Sequence, residues 1–229
     1  MAERGNEFVT MSTAQVVVLA GPSGAGKSRL AERLGLPVLR LDDFYKDGDD
    51  PTLPRIDHGA NAGLVDWDHP DSWHQADAMA ALRELCATGR SEVPIYEIAQ
   101  NGRCGSRTVD LYGSTRFVAE GIFAPDVVAA CREEGLLAAA YCITQHPLVT
   151  FWRRLSRDLR EHRKPPLMLV RRGYALARDQ RRVVAHALRQ GCRRATGDQA
   201  YAELTAGAQA RSDSRSDSRS DSRSDSGSA

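Results

Sequence analysis

One stretch constrains this chain more than any other: Gly21-Pro22-Ser23-Gly24-Ala25-Gly26-Lys27-Ser28, set between two segments of different period. Before it, Val16-Val17-Val18-Leu19-Ala20 is short, apolar and β-branched, the mark of a strand buried on both faces. After it, Ser28 to Leu34 is made of good helix formers and stops at Gly35, where a glycine closes a helix. The octet fits the spacing G-x-x-x-x-G-K-[ST] at every fixed position. Glycines at these places let backbone N–H groups turn inward on an anion, and the following helix adds the positive end of its dipole. Such a match arises by accident in roughly one chain in a hundred at ordinary glycine usage, and the flanking strand and helix lower that further. The unit therefore predicts a phosphate cradle built from Gly21, Ser23, Gly24, Ala25, Gly26, Lys27 and Ser28. Lys27 would reach the outer phosphates of a nucleotide and the Ser28 hydroxyl would ligate Mg²⁺.

The rest of the chain alternates in the way such a unit requires. Val38 to Leu41 reads as a second strand ending on Asp42-Asp43-Phe44-Tyr45-Lys46. A Gly/Asp/Pro-rich loop, Asp47 to Asp68, follows; a loop of that length in a compact domain is ordinarily functional or disordered, and its tryptophan and closing Asp66-Trp67-Asp68-His69-Pro70 favour function. Ser72 with Gln75 predicts a capping box, opening a helix with Trp73, Ala76, Met79, Leu82 and Cys86 as its apolar stripe. Val93–Ile98 and Arg107–Leu111 alternate around a Gly/Asn-rich turn and predict a β-hairpin laid over a substrate pocket. Arg116–Gly121 and Leu137–Ile143 read as strands, with a helix from Pro125 to Gly135 between them. His146–Pro147 and Leu169–Arg189 read as the start and span of two arginine-rich helices. Strands and helices in this order imply an α/β fold of the P-loop NTPase type: three layers, a mostly parallel sheet with helices on both faces, a β-hairpin insertion and an Arg-rich lid. One domain is expected over residues 15–205, with a disordered leader at 1–14 and a disordered tail at 206–229, where Arg-Ser-Asp-Ser repeats four times from Arg211 to Ser226.

Composition narrows the function classes. The 229 residues are 41% hydrophobic, enough for one core, and the formal net charge of +1 argues against a general nucleic-acid coat. The charge is unevenly placed: fourteen Lys/Arg against three acids lie between Thr150 and Arg194. The five cysteines are scattered without a C-x-x-C pair, as in reduced proteins of the cytoplasm. No apolar run is long enough for a membrane span and no secretory signal opens the chain. A cytoplasmic protein that engages neither membrane nor nucleic acid is expected, with self-association left open.

Phosphoryl transfer needs a nucleotide cradle, Mg²⁺, a base near the acceptor hydroxyl, and cations around the transferred group. Lys27 and Ser28 supply the first two functions. Asp42, closing the second strand, would take the acceptor's proton, and Glu120, closing another, would ligate Mg²⁺ directly or through water. The arginines of the segment after His146, at about 153–168, would close over the phosphates as a lid.

The runs GPSGAGKS, LDDFYKD, VDWDHPDSW, VPIYEI, AEGIF and RRLSRDLREHRK, in that order from Val16 to Lys164, resemble the uridine kinase (uridine–cytidine kinase) family. The resemblance implies an ATP- or GTP-dependent, Mg²⁺-requiring transfer to the 5′-hydroxyl of uridine and cytidine, in pyrimidine salvage. It implies Asp42 as general base and metal-side carboxylate, with Tyr45 and Lys46 in the substrate-facing loop. It further implies Asp68 on the ribose hydroxyls, Tyr96 against the base, Glu120 near Mg²⁺, and Arg154 and Arg157 as lid and substrate arginines, Arg157 with a catalytic part. The chain departs from the family where a base-reading histidine falls on Asn101 and an aromatic on Ile98, and where two lid arginines fall on His162 and Lys164. Asn101 keeps hydrogen-bonding capacity toward a pyrimidine edge. Two alternatives remain beside this reading: a P-loop kinase of another nucleoside or small hydroxylated metabolite, and a non-catalytic nucleotide- or nucleic-acid-binding protein using the basic segment.

Overall fold

A computed structural model of the chain describes residues 14–22, 24–59, 61–144 and 181–207. Five strands form a parallel sheet: β1 (Gln15–Ala20), β2 (Val38–Arg40), β5 (Arg116–Glu120), β6 (Leu137–Ile143) and β7 (Arg193–Ala195), in the spatial order β2-β5-β1-β6-β7. Helix α1 (Lys27–Leu34) follows β1, α2 (Gln75–Thr88) precedes the hairpin, and α3 (Val128–Glu133) joins β5 to β6. Residues 181–189 form α4 and residues 197–207 form α5. The hairpin, β3 (Arg90–Glu97) with β4 (Gly102–Asp110), is a separate antiparallel pair.

Alternation along β1 explains why it lies in the middle. Val16, Val18 and Ala20 pack with Leu82 and Leu85 of α2 and with Val127 and Val128, whereas Val17 and Leu19 pack with Leu30 of α1 and Leu204 of α5. All five are fully buried, so β1 is covered on both faces, as parallel sheets require. Phe117 and Val118 of β5 divide in the same way between the two cores. The α/β architecture with helices on both faces therefore follows the expected pattern. From β1 the chain crosses past β5 to β2, and from β5 it crosses past β1 to β6. Open sheets gather ligands outside the strand ends where the winding direction reverses, and here that is the carboxyl end of β1.

Three sequence expectations are corrected in detail. The capping box does not form. Ser72 lies in a separate short turn (Pro70–Ser72), its hydroxyl donates to the Trp67 carbonyl at 3.0 Å, and Trp73 is extended before α2 begins after His74. Ala76 is exposed, and the buried stripe is Ala78, Met79, Leu82, Leu85 and Cys86, because the helix starts two residues later than a Ser72 cap would start it. Pro125 opens a short turn (Ala124–Val127) and not α3 itself. Ala14 is buried, its N–H donating to the Cys86 carbonyl at 3.0 Å, and α5 is described as far as residue 207. The expected lid and the repeat tail lie outside the described residues, as do Ser23, Arg154, Arg157, His162 and Lys164.

Candidate active site

The phosphate loop leaves β1 and enters α1 with Gly24 and Gly26 at φ of 78° and 95°. Gly21 is required for a second reason: a Cβ there would lie 2.3 Å from the Ile143 carbonyl oxygen at the end of β6. Glycine thus lets the loop run against the neighbouring strand. The Lys27 ammonium is folded onto the loop, donating to the Gly21 and Pro22 carbonyls at 2.8 and 3.3 Å. Burial lowers its pKa from the usual lysine value, while the charges of Glu120 and Asp42 pull it back up. Those two carboxylates are therefore near enough to Lys27 to act on it.

The parallel pairing explains that convergence. Leu19 pairs with Glu120 and Arg40 pairs with Glu120 across three adjacent strands, so β1, β5 and β2 end at one level. Ser28, at the second position of α1, donates to both Glu120 carboxylate oxygens at 3.3 Å. Asp42 stands in the turn Leu41–Phe44 just beyond β2 and accepts from the Ile122 N–H at 2.9 Å. Burial raises the Asp42 pKa above the ordinary aspartate value, while the Ile122 N–H and Lys27 act in the opposite direction. Gly121 fits between them: a Cβ on it would come within 2.6 Å of Asp42 Oδ1. The Ala119-Glu120-Gly121-Ile122 run thus supplies a carboxylate, a gap and an N–H in consecutive residues.

Ser28 and Glu120 fit Mg²⁺, which takes hard oxygen donors and ordinarily one or two carboxylates beside phosphate and water oxygens. Among the described residues no group of three or more His, Cys, Asp or Glu could hold a metal by itself, so a cation here would depend on nucleotide oxygens as well.

A second, aromatic cluster next to Asp42 is built from remote segments. Tyr45 packs its ring against Trp67, Tyr96 and Phe123 at centroid distances of 5.6, 5.5 and 5.5 Å, and Phe123 stacks on Trp73 at 4.9 Å. Burial raises the Tyr45 hydroxyl well above the usual tyrosine value, with the charges of Asp42 and Asp68 adding to it. Asp42 with Tyr45, Asp68 and Tyr96 are thus drawn into one neighbourhood from three segments 23 or more residues apart. Asn101 sits at the hairpin turn with φ of 51°; its amide oxygen accepts from the Tyr96 hydroxyl at 3.3 Å and its carbonyl from the Gly48 N–H at 2.8 Å. Ile98 is 88% exposed and contributes no wall.

Three supports were not visible as motifs. Asp47 accepts from the Arg103 backbone N–H at 2.7 Å and from its guanidinium at 2.9 Å, latching the hairpin to the loop that follows Phe44. Asp43, with only 4% of its side chain exposed, pairs with Arg107 at 3.3 Å and ties the Asp42 turn to β4. Ile122 supplies a backbone donor, which no side-chain pattern could reveal. Nothing local in the sequence hinted at Arg103 or at the Asp43–Arg107 pair.

A parallel sheet carrying this loop and these strand-end carboxylates defines a P-loop protein of the α/β kinase class. No protein-family model matches the chain. A uridine kinase of Lactobacillus johnsonii is 23% identical over 154 residues, covering 64% of this chain and 68% of that protein. A uridine kinase of Saccharomyces cerevisiae is 26% identical over 155 residues, covering 65% of this chain and 30% of that protein. The chain thus spans about two thirds of one relative and under a third of the other. An inorganic pyrophosphatase of Arabidopsis thaliana is 32% identical over 114 residues, but only 15% of that protein is covered. Among solved structures, a candidate fructose transport system kinase from Silicibacter sp. TM1040 superposes with a TM-score of 0.51 at 19% identity, covering 81% of this chain and 88% of that one. The chain is thus similar in sequence to uridine kinases and in fold to a solved kinase, and these likenesses support a P-loop kinase. Among the described residues no helix is long and apolar enough to cross a membrane.

Proposed function

We propose that the chain transfers the γ-phosphoryl group of ATP or GTP to the 5′-hydroxyl of uridine, and of cytidine, yielding the nucleoside monophosphate in a cytoplasmic salvage step. The observation that carries the reading is the convergence of Lys27, Ser28, Glu120 and Asp42 at the ends of three adjacent strands. Gly21 to Ser28 would cradle the donor phosphates, and Lys27 would exchange its loop carbonyls for phosphate oxygens. Mg²⁺, held by Ser28 with Glu120 and on the Asp42 side, would neutralise charge on the transferred group. Asp42, its carboxylate aimed by the Ile122 N–H, would accept the acceptor's hydroxyl proton. Its raised pKa makes it a better base than an exposed aspartate. Asp68 would accept from the ribose diol, and Tyr45 with Tyr96 would pack on the nucleoside. Arg154 and Arg157 would close on the phosphates, the domain running over about 15–205 with its lid near 153–168.

A second reading keeps the phosphoryl transfer and changes the acceptor to another small hydroxylated molecule. It is favoured by two observations: Ile98 points into solvent, and the Asn101 amide oxygen is already engaged by Tyr96. Both positions would have to contact a pyrimidine in the first reading. ADP release measured with Mg-ATP against a panel of nucleosides and sugars separates the two. Turnover confined to uridine and cytidine supports the first, and turnover only with other acceptors supports the second. Absence of ADP release with every acceptor, alongside intact nucleotide binding, would sink both and leave a nucleotide-binding protein.

A further inference from the structure

A cavity of about 730 Å³, within the range of small-molecule sites, lies beside the residues that support Asp42. Ile122 and Phe123 form one wall, the first holding Asp42 through its N–H and the second touching Tyr45. Asp68 stands on another, and α4 forms the third. No described residue of the phosphate loop lines it.

The α4 wall is charged in a regular way. Arg182, Ala185, His186 and Arg189 recur at helical spacing and all line the cavity, with Arg181 beside them. This register is held by the core on one side and by a pair within the cavity wall. Ala187 is fully buried in the core, and His186 Nε2 lies 2.6 Å from Asp126 Oδ1, which also receives the Gln190 amide at 3.4 Å. An arginine-rich helix face is ordinarily just solvated surface. Here the same stripe is concave, backed by apolar wall, and faces the Asp42 neighbourhood. Three arginines stand against two aspartates, and one of those, Asp126, is already answered by His186. Among the described residues no ion pair engages Arg181, Arg182 or Arg189. A cleft with an excess of one charge and low-dielectric walls focuses potential onto an opposite charge, and guanidinium forks match planar oxyanions.

We propose that this cavity holds the oxyanion group, phosphate or carboxylate, of a small hydroxylated molecule on Arg181, Arg182 and Arg189. The hydroxyl end of that molecule lies toward Asp68 and Asp42, a placement that rests on the phosphotransfer reading; the anion site itself does not. The oxyanion has two sources. It belongs to an acceptor that is itself anionic, or to the phosphorylated product of a neutral acceptor returning to the site.

Titration calorimetry on the full chain tests the site, using ribose 5-phosphate against ribose and uridine 5′-monophosphate against uridine. The phosphorylated member of at least one pair is expected to bind about tenfold tighter or more, each tenfold being 1.4 kcal/mol. That preference is expected to vanish in the Arg182→Gln/Arg189→Gln variant and to persist in Lys27→Ala, which disables the phosphate loop. Should the double variant fail to fold, Arg189→Gln alone is expected to lower the preference. Equal affinity within both pairs overturns the proposal. So does a preference that survives the arginine changes, or one lost in Lys27→Ala alone, which would put the phosphate in the loop. ADP release with ribose 5-phosphate identifies an anionic acceptor; release with uridine, with competition by its monophosphate, identifies the product. Failure of all acceptors to release ADP counts against the phosphotransfer reading and leaves the titration result standing.

Discussion

The donor half of the site and the acceptor half are built by opposite means. The donor half is nearly one piece of chain: Gly21 to Ser28 make the loop, and only Glu120 comes from elsewhere, carried to its place by strand register. The half we propose for the acceptor is assembled from the turn after β2, the long loop around Trp67 and Asp68, the hairpin tip, the turn after β5 and helix α4. A local motif tolerates distant relationship because its geometry is set by its own glycines. A site stitched from five segments shifts with each of them, and so it is where this chain departs from the family it resembles.

Breaking the junction between the halves is expected to have the largest effect. Gly121→Ala places a Cβ within 2.6 Å of Asp42 Oδ1, so the carboxylate must move. Displacements of about 1 Å at a reacting group cost roughly a hundredfold, and a fall of that size in kcat with nucleotide affinity retained is expected in steady-state assays. Near-normal kcat would show that Asp42 is not held where the reaction needs it.

The next effect is on the scaffold of the acceptor half. Arg107→Met leaves the almost fully buried Asp43 carboxylate without its partner. Loss of one member of a buried pair costs about 3–5 kcal/mol, and since Arg107 is a third exposed, about 2 kcal/mol is expected by urea unfolding. An unchanged midpoint would mean that Asp43 is satisfied without Arg107.

The smallest change sharpens the acceptor side alone. In the proposed site Asp68→Ala would remove a charged acceptor from the ribose hydroxyls, a contact worth about 1.5–3 kcal/mol. A rise of about tenfold or more in the KM for uridine is expected, with a smaller change in kcat and lost discrimination against 2′-deoxyuridine. Retained discrimination would remove Asp68 from the ribose side.

These differences follow how legible each part was. The loop, β1 and α1 could be read from letters because periodicity and glycine placement act within a dozen residues. Glu120 and Asp42 could be picked out as acids ending strands, and parallel pairing then carried them to Lys27. The Asp47–Arg103 latch bridges 56 residues and the Ile122 donor is backbone, so neither leaves a mark in residue type. The engagement of Asn101 by Tyr96 likewise depends on a hairpin register that alternation alone does not determine. The stripe of α4 was visible as an excess of arginine, but which side of the helix faced a cavity depended on the burial of Ala187 and the Asp126–His186 pair.

The central claim is that a phosphate-binding loop and a strand-end carboxylate work together as a phosphotransfer site. Single-turnover ADP release in Asp42→Asn, with Mg-ATP affinity measured on the same preparation, tests it most directly. Replacing the carboxylate removes the base without adding bulk, so release is expected to slow by about two to four orders of magnitude while nucleotide affinity stays close to that of the unaltered chain. Release at the unaltered rate would contradict the assignment of Asp42 as the base.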